Sequence, residues 1–245
     1  MAFAGWIYGS FVRIAQKGDS LICPGIPFSQ VQRFFSLDVD LQIVTSRIDV
    51  DPVIHAALKS HSGLRVIRQD PWECLVSFIL SAFNNIPRLT GMLERLALRF
   101  GEPASLRYRF PRAERLMRVS ERVLRNCGLG FRAPYLKAAA EAVAGGAADL
   151  QGWRRFDDER LRAALCSIPG VGEKVAECVM LFSYERGSAF PVDVWIGRAM
   201  RAWYFRRRKK VTDREIRLFA RKYFGPYCGW AQQYLYCYAR EKRTV

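Results

Sequence analysis

Residues 165–176 read LCSIPGVGEKVA, and this stretch predicts two helices joined by a tight Pro-Gly-x-Gly turn. The glycines end the first helix and let backbone N–H groups point outward where the second helix begins. Such a helix start attracts phosphate, because its amides are unpaired and its dipole is positive. We therefore predict a helix-hairpin-helix over about 158–186 that contacts a nucleic-acid backbone through Gly170, Val171 and Gly172. An ordinary turn between two helices is the alternative.

Two side chains near this turn have the chemistry of a catalytic pair. Lys174 begins the second helix, where the helix dipole favours an uncharged amine that can attack carbon. Asp193 follows 19 residues later (193 − 174), which fits one helix and its return. A carboxylate there can stabilise positive charge developing on a sugar, and it can cap the predicted helix 194–205. A phosphate-binding lysine and a simple helix cap remain the alternatives.

The charge of the chain indicates a polyanionic partner. Its 245 residues include 39 Lys and Arg against 23 Asp and Glu, a net charge of +16. Basic side chains displace the counterions that condense on nucleic-acid phosphates. Ribosomal, membrane-surface and merely basic soluble proteins share this property. The hydrophobic fraction of 50% is sufficient for a sizeable core.

Cysteine and histidine usage argues against disulfides and metals. The seven cysteines are odd in number and irregularly spaced, which indicates reduced thiols inside the cell. Without a C-x-x-C pair, and with only two histidines, no structural zinc is expected. No apolar run reaches the ~18 residues of a membrane span, and no signal peptide is recognised at the start. We therefore expect an intracellular protein that resides with the DNA.

The pattern along the chain predicts a mainly α fold with a small antiparallel β element. Residues 1–30 carry β-branched and aromatic runs around Lys17–Gly18–Asp19, and residues 31–245 are helical almost throughout. Asp70 and the Thr212–Glu215 capping box predict two helix starts. Residues 74–83 are apolar on nearly every face, as in a central helix. A single amphipathic helix is predicted over 112–126.

Five motifs together resemble one family of proteins. They are RQDPWECLVSFILSAFNNIPRLTGMLERLALRFG (68–101), GLGFRAPYL (128–136), PGVGEKVAEC (169–178), PVDVW (191–195) and GPYCGWAQQYLY (225–236). In this combination the chain, from about residue 34 to 240, resembles the 8-oxoguanine DNA glycosylases of the helix-hairpin-helix–GPD superfamily. The resemblance implies a glycosylase/AP lyase that everts and excises oxidised purine from duplex DNA during base excision repair. It also implies a monomer without metal or nucleotide cofactor.

The resemblance assigns roles to individual positions. Lys174 matches the family's nucleophile, which attacks C1′ and forms a Schiff base, and Asp193 matches its aspartate. Three further matches concern the everted base. Gln232 matches the glutamine that hydrogen-bonds the Watson–Crick edge of the base, and Tyr236 matches the aromatic residue that stacks on the base. Cys178 matches a cysteine in the wall of the base pocket. The matches that imply DNA contacts are Asn84, Asn85 and Arg88 in the loop that fills the vacated stack, the wedge Phe131 and its neighbour Arg132.

The chain departs from the family pattern at three places. Residues 1–30 lack the G-Q-x-F-R-W motif whose glycine carbonyl distinguishes 8-oxoguanine in the family, and we expect a reduced β element there. Phe83 replaces the first asparagine of the loop, which predicts a relaxed choice of the base opposite the lesion. Trp195 replaces a histidine. A glycosylase for another damaged base and a non-catalytic helix-hairpin-helix protein remain the alternatives, although Lys174 disfavours alkylpurine enzymes.

Overall fold

A three-stranded antiparallel sheet opens the chain in the computed structural model, which describes residues 2–104, 107–208 and 210–242. In spatial order its strands are β1 (Ala2–Ile7), β2 (Ser10–Lys17) and β3 (Ser20–Ile22). Ile7 pairs with Ser10, and Tyr8 and Gly9 between them both have positive φ, as a two-residue hairpin turn requires. The predicted β element is therefore confirmed.

Helices dominate the rest of the described chain, which confirms the mainly α prediction. They are α1 (Phe28–Phe34), α2 (Leu41–Ile48), α3 (Pro52–Ser60), α4 (Pro71–Leu80), α5 (Ile86–Phe100), α6 (Ala113–Met117), α7 (Glu121–Leu124), α8 (Ala133–Ala144), α9 (Asp158–Cys166), α10 (Glu173–Ser183), α11 (Val194–Tyr204), α12 (Asp213–Phe224) and α13 (Cys228–Lys242). A small hairpin between α5 and α6 consists of β4 (Pro103–Ala104) and β5 (Arg107–Tyr108).

Side-chain caps fix several of the helix starts. The carboxylate of Asp70 accepts hydrogen bonds from the first turn of α4, and Pro71 is its first residue. Thr212 and Glu215 form the reciprocal capping box of α12. Both starts were predicted from local sequence alone, because a cap needs only the side chain and the amides two or three residues ahead.

The single helix predicted over 112–126 is wrong. The chain instead forms α6, breaks at Arg118, and restarts at Ser120, whose hydroxyl accepts from Val123 N at 3.4 Å. A π-helical turn over Arg125–Leu129 follows, and Gly128 has a φ of 84° there. The amphipathic pattern continued across the break because both short helices bury the same apolar side, with Leu116 and Leu124 fully buried.

Helix α4 lies between two hydrophobic clusters, as its all-round apolar sequence predicted. Leu75 and Ile79 belong to the main cluster, which is built largely from α2, α3 and α9–α13. Val76 and Leu80 belong to the second cluster, which is built from α5–α8. α4 therefore provides a rigid support, and its C-terminal end reaches the start of the hairpin helix α10.

Several classes of site are absent from the part of the chain that the structure describes. All seven cysteines lie in that part and are unpaired, and four of them are buried. No cluster of three or more His, Cys, Asp or Glu side chains is arranged to hold a metal there. No described helix combines the length and the apolar character needed to cross a membrane.

Glu73 in the first turn of α4 makes stability depend on pH. Burial, with a smaller contribution from the Asp70 carboxylate, raises the pKa of Glu73 from 4.5 to about 7. Between these two values the folded protein binds more protons than the unfolded chain, so the free energy of unfolding falls as pH rises. We expect Glu73→Gln to stabilise the protein at pH 8 by on the order of 2 kcal/mol, and hardly at pH 4.5.

Urea denaturation of Glu73→Gln at both pH values measures this difference. Glu94→Gln, at an exposed position of α5, is the matched control, and its effect on the free energy of unfolding should be the same at both pH values. An equal gain for Glu73→Gln at pH 4.5 and pH 8 would contradict the assignment.

Candidate active site

The amine of Lys174 is held at the start of α10, against the end of α4. Lys174 is the second residue of α10, and its side chain is half-buried. Its Nζ donates to Ser81 Oγ at 3.3 Å and lies 5.0 Å from the centre of the Phe78 ring. Within residues 2–104, 107–208 and 210–242, no carboxylate lies within 4.0 Å of this amine. The amine is therefore positioned without being fixed in an ion pair.

Cys178 lies one helical turn after Lys174 and is near both charged groups of the predicted pair. Burial raises the pKa of the Cys178 thiol to about 12, the Lys174 amine opposes this, and the Asp193 carboxylate adds to it. Lys174 and Asp193 therefore both influence the charge of this thiol. Cys178 itself remains a neutral, buried thiol and is not a nucleophile.

Asp193 caps α11, as the sequence predicted. Its Oδ1 accepts from Ile196 N at 2.8 Å, and its side chain remains partly exposed. The preceding segment is held from two sides: Phe190 N donates to Glu177 Oε2 at 2.6 Å, and Gln232 Nε2 donates to the Pro191 carbonyl at 3.0 Å. These two hydrogen bonds fix the segment that leads to the Asp193 carboxylate.

Glu177 is a fully buried carboxylate that joins three elements. Its Oε1 accepts from Arg162 Nε of α9 at 2.6 Å and from Arg221 Nη2 of α12 at 2.7 Å. Together with the bond from Phe190 N, these contacts satisfy both oxygens. A buried charge is tolerated only when it is paired in this way, so Glu177 ties the helix of Lys174 to the segment of Asp193.

Gln232 and Tyr236 lie one turn apart on α13, beside Asp193. Gln232 is buried, with 3% of its surface exposed, whereas Tyr236 is partly exposed. The Tyr236 hydroxyl accepts from Arg240 Nη1 at 3.0 Å, and the same guanidinium lies 5.6 Å from the Trp195 ring. The structure thus brings Lys174, Cys178, Asp193, Gln232 and Tyr236 together in one region.

The loop between α4 and α5 presents an aromatic ring where the sequence singled out polar residues. Asn84 Nδ2 donates to the Leu80 carbonyl at 3.0 Å, and Asn85 Oδ1 accepts from Arg88 N at 2.9 Å as the N-cap of α5. Both amides therefore bind their own loop, while the Arg88 side chain is exposed. Phe83 is 94% exposed, at a positive φ of 47°.

Arg132 holds the backbone of this loop by hydrogen bonds. Arg132 as a whole is only 2% exposed, and its guanidinium donates to the carbonyls of Ala82 (2.8 Å) and Phe83 (2.9 Å). Phe131 is about half-exposed, its ring lies 4.3 Å from the Arg132 guanidinium, and its centre is 6.3 Å from that of Phe83. Two loops distant in sequence thus place two exposed phenylalanine rings side by side.

The hairpin turn between α9 and α10 has the geometry that its glycines predicted. Gly170 has a φ of 84°, and a Cβ on it would lie 2.5 Å from the Tyr135 ring. Val171 is buried and its N–H donates to the Ile168 carbonyl at 3.0 Å, so Val171 can offer a ligand only backbone. Gly172 caps α10 without a side chain, which leaves the first amides of the helix open to an anion.

Comparison with known proteins identifies the family. Residues 76–226 match the family model of the HhH-GPD superfamily base excision DNA repair proteins, and residues 4–75 match that of the 8-oxoguanine DNA glycosylase N-terminal domain. The chain belongs to the 8-oxoguanine DNA glycosylase family of the HhH-GPD superfamily. The N-terminal match covers the sheet β1–β3, so residues 4–75 belong to a recognised 8-oxoguanine glycosylase domain even without the expected glycine motif.

Individual members of the family are similar over most of this chain. N-glycosylase/DNA lyase OGG1 of Arabidopsis thaliana is 37% identical over an alignment of 200 residues, and the match covers 76% of this chain and 54% of that protein. The chain therefore spans about half the length of this curated relative. The structure of MBOgg1 in complex with a low-affinity DNA ligand has a TM-score of 0.95 at 37% identity, covering 99% of this chain and 86% of that chain.

A second similar structure contains a DNA duplex with a lesion. It is the Clostridium acetobutylicum 8-oxoguanine glycosylase/lyase with DNA containing cytosine opposite 8-oxoguanine, with a TM-score of 0.94 and 32% identity. The match covers 99% of this chain and 86% of the Clostridium acetobutylicum chain. The helix-hairpin-helix–GPD fold predicted for this glycosylase-family chain is thereby confirmed.

Sequence reasoning missed two residues that the geometry brings to the site. Glu177 carried a signal, because a charged residue inside an apolar helix calls for a buried partner. Arg240 carried a weaker signal, because it lies four residues after Tyr236 on the same helix. Its contact with Trp195, in contrast, arises from the packing of α11 against α13. Phe83 was identified only as a replacement for an asparagine and not as an exposed ring.

Proposed function

We propose that this protein is a bifunctional DNA glycosylase/AP lyase that everts 8-oxoguanine from duplex DNA, excises it, and nicks the strand in base excision repair. The observation that carries the proposal is the Lys174 amine, which is held at the hairpin helix by Ser81 Oγ, with no carboxylate within 4.0 Å in the described structure. An amine in an ion pair is a poor nucleophile, whereas this one contacts a hydroxyl and an aromatic ring.

The chemistry that we propose uses the Lys174 amine and the Asp193 carboxylate in turn. Lys174 Nζ attacks C1′, and the purine leaves with the electron pair of the glycosidic bond and takes up a proton. The sugar ring opens and Lys174 is left as an imine on C1′. Removal of a C2′ proton then expels the 3′ phosphate by β-elimination, and water releases the lysine. Asp193 stabilises the positive charge that develops on the sugar.

Recognition of the base falls to the residues around this pair. Gln232 is buried and its amide is oriented by the Pro191 carbonyl, so it is suited to read the Watson–Crick edge of an everted base. Tyr236 offers a ring one turn later for stacking, and Cys178 supplies a neutral wall. Eversion is required because the C1′ bond is shielded within a stacked duplex.

We propose that the hairpin holds one DNA strand by its backbone. The open amides at Gly172 and the start of α10 offer donors to a phosphate, and Gly170 permits close approach. Glu173 would repel a phosphate there, but its carboxylate is bound by Arg217. Asn85 caps α5 and Arg88 lies in its first turn, where the exposed Arg88 side chain can contact the strands.

Phe83 and Phe131 are suited to fill the gap that the everted nucleotide leaves. Arg132, which was expected to contact DNA, is assigned instead to holding the Phe83 loop. We expect Phe83→Ala to lower kcat/KM for excision about tenfold, because a stacked aromatic is worth about one to three kcal/mol. The loss of kcat/KM should be similar opposite all four bases, because stacking does not depend on the hydrogen-bonding edge of the opposite base.

Single-turnover assays opposite C, A, G and T test this expectation. Leu98→Ala removes an equally apolar exposed side chain from the far end of α5 and is the matched control. A Phe83→Ala enzyme with wild-type rates, or with a defect opposite one base only, would contradict a role in filling the stack.

The proposed activity is tested with 5′-labelled duplexes that carry 8-oxoguanine, 3-methyladenine, thymine glycol or undamaged guanine. We expect the 8-oxoguanine strand to be cut without alkali, because the lyase step follows excision on the same lysine. Cleavage of another lesion alone would assign a different glycosylase. Binding without cleavage of any strand would leave a non-catalytic DNA-binding protein.

We also propose that the chain acts on DNA as a monomer with two parts, residues 1–30 and residues 31–245. The sheet has a small cluster of its own, formed by Ile7, Val12 and Ile14, which supports the division. The same cluster packs against Phe34 and Phe35, so residues 1–30 pack against the beginning of the helical part, residues 31–245.

A further inference from the structure

Arg240 is held in place beside the candidate base-binding residues. It lies in the last turn of α13, one turn after Tyr236, and it is exposed. Its Cζ lies 5.6 Å from the Trp195 ring centre and 5.7 Å from the Tyr236 ring centre, and Nη1 donates to Tyr236 Oη at 3.0 Å. An exposed arginine is ordinarily mobile, but here two rings and a hydroxyl restrict it.

The restrained guanidinium keeps most of its donors unused. The Tyr236 hydroxyl, and to a lesser extent the Asp193 carboxylate, raise the pKa of Arg240. Within the described ranges no carboxylate lies within 4.0 Å of the guanidinium, so Asp193 is near without pairing with it. Of the five N–H donors of an arginine, only one is used by Tyr236. Among the described residues, the guanidinium donates no other hydrogen bond, and Arg240 is exposed.

The position of this cation limits what it can bind. Under the proposed function, Asp193 faces the sugar of the everted nucleotide and Tyr236 stacks on its base. A cation that touches Tyr236 and lies near Asp193 meets the remaining part of that nucleotide, its phosphate. The planar fork of an arginine fits two phosphate oxygens, and the aromatic rings reduce the entropy lost on binding.

We propose that Arg240 binds a phosphate that flanks the everted nucleotide, while Trp195 and Tyr236 hold its guanidinium in position. This inference rests on the proposed function, because the contact forms only when a nucleotide is everted. It adds a phosphate contact from the last turn of α13 that is separate from the hairpin. It also gives Trp195 a role, as one of the two rings that orient the guanidinium.

Salt dependence of binding tests the contact. Affinities of wild type, Arg240→Gln and Arg240→Lys are measured from low to moderate salt on a duplex with a tetrahydrofuran abasic site, which cannot be excised, and on undamaged duplex. For the abasic duplex, loss of one phosphate contact should reduce the slope of log K against log salt by about 0.9. Arg240→Lys should keep most of the slope, and undamaged duplex should show no change.

A matched control and a second readout make the result decisive. Arg47→Gln removes an exposed arginine from α2 and should leave the slope unchanged. If Arg240 only supports Tyr236, then Arg240→Gln weakens binding without altering the slope, and the inference is overturned. Failure of the wild-type enzyme to excise 8-oxoguanine would instead refute the proposed function, whichever slope is found.

Discussion

Replacing Lys174 with glutamine is expected to lower excision of 8-oxoguanine by at least about a thousandfold, because the substitution removes the nucleophile. Glutamine is polar and of similar length, and in the half-buried site the amine contacts the Ser81 hydroxyl and the Phe78 ring. The fold should therefore survive, with an unchanged midpoint of thermal unfolding. Single-turnover cleavage on 8-oxoguanine duplex, with and without alkali, measures the loss.

Lys174→Arg tests the loss of the nucleophile separately from the loss of positive charge at this position. Arginine keeps a cation at the start of α10 but cannot attack carbon, so this variant should be as inactive as Lys174→Gln and should bind abasic duplex about as well as wild type. Excision above a tenth of the wild-type rate in either variant would mean that another group, such as an activated water, breaks the bond.

Asp193→Asn is expected to lower excision about a hundredfold or more while leaving stability nearly unchanged. Asparagine caps a helix as well as aspartate does, so the contact with Ile196 N can be kept while the negative charge is lost. The missing charge no longer stabilises the cationic sugar, an effect typically worth about a hundredfold to a thousandfold. Excision rates and thermal unfolding are measured on the same preparation.

Asp193→Ala is the informative companion, because it removes the cap together with the charge. It should lose activity like Asp193→Asn and in addition about 1 kcal/mol of stability. Should Asp193→Asn remain fully active while Asp193→Ala does not, the aspartate would serve only to begin α11, and its catalytic assignment would be wrong.

The parts of the fold that were predictable are those that local chemistry decides. The Gly170 turn, the Asp70 cap and the Thr212 box each depend on residues within four positions of one another. The break at Ser120 was missed because α6 and α7 bury the same side, so the apolar pattern continues across it. Pattern alone cannot distinguish one amphipathic helix from two short ones.

The candidate site was predictable through its motifs but not through its supports. The positions of Lys174 and Asp193 follow from the hairpin and the next helix start, which are local. The partners of Glu177 and Arg132 lie up to 44 and 50 residues away in the chain, and those of Arg240 include Trp195 on another helix. Such contacts follow from tertiary packing, about which a single sequence gives no direct information.

Tertiary contacts also change the role that we propose for Arg132. Arg132 was expected on the DNA because it neighbours Phe131, but it is buried and its donors bind Ala82 and Phe83. Removing it would leave two loop carbonyls without donors and release Phe83 from its positive φ. We therefore propose that Arg132 acts on DNA binding through the position of Phe83.

Borohydride trapping followed by peptide mapping identifies the residue that bonds covalently to the sugar. Wild-type protein is incubated with 8-oxoguanine duplex and sodium borohydride, and the covalent adduct is digested and located by mass spectrometry. Because Lys174 is the proposed nucleophile, we expect a single reduced adduct on the peptide that contains it, and none with undamaged duplex. Efficient base release without any adduct, or an adduct on a different lysine, would contradict it.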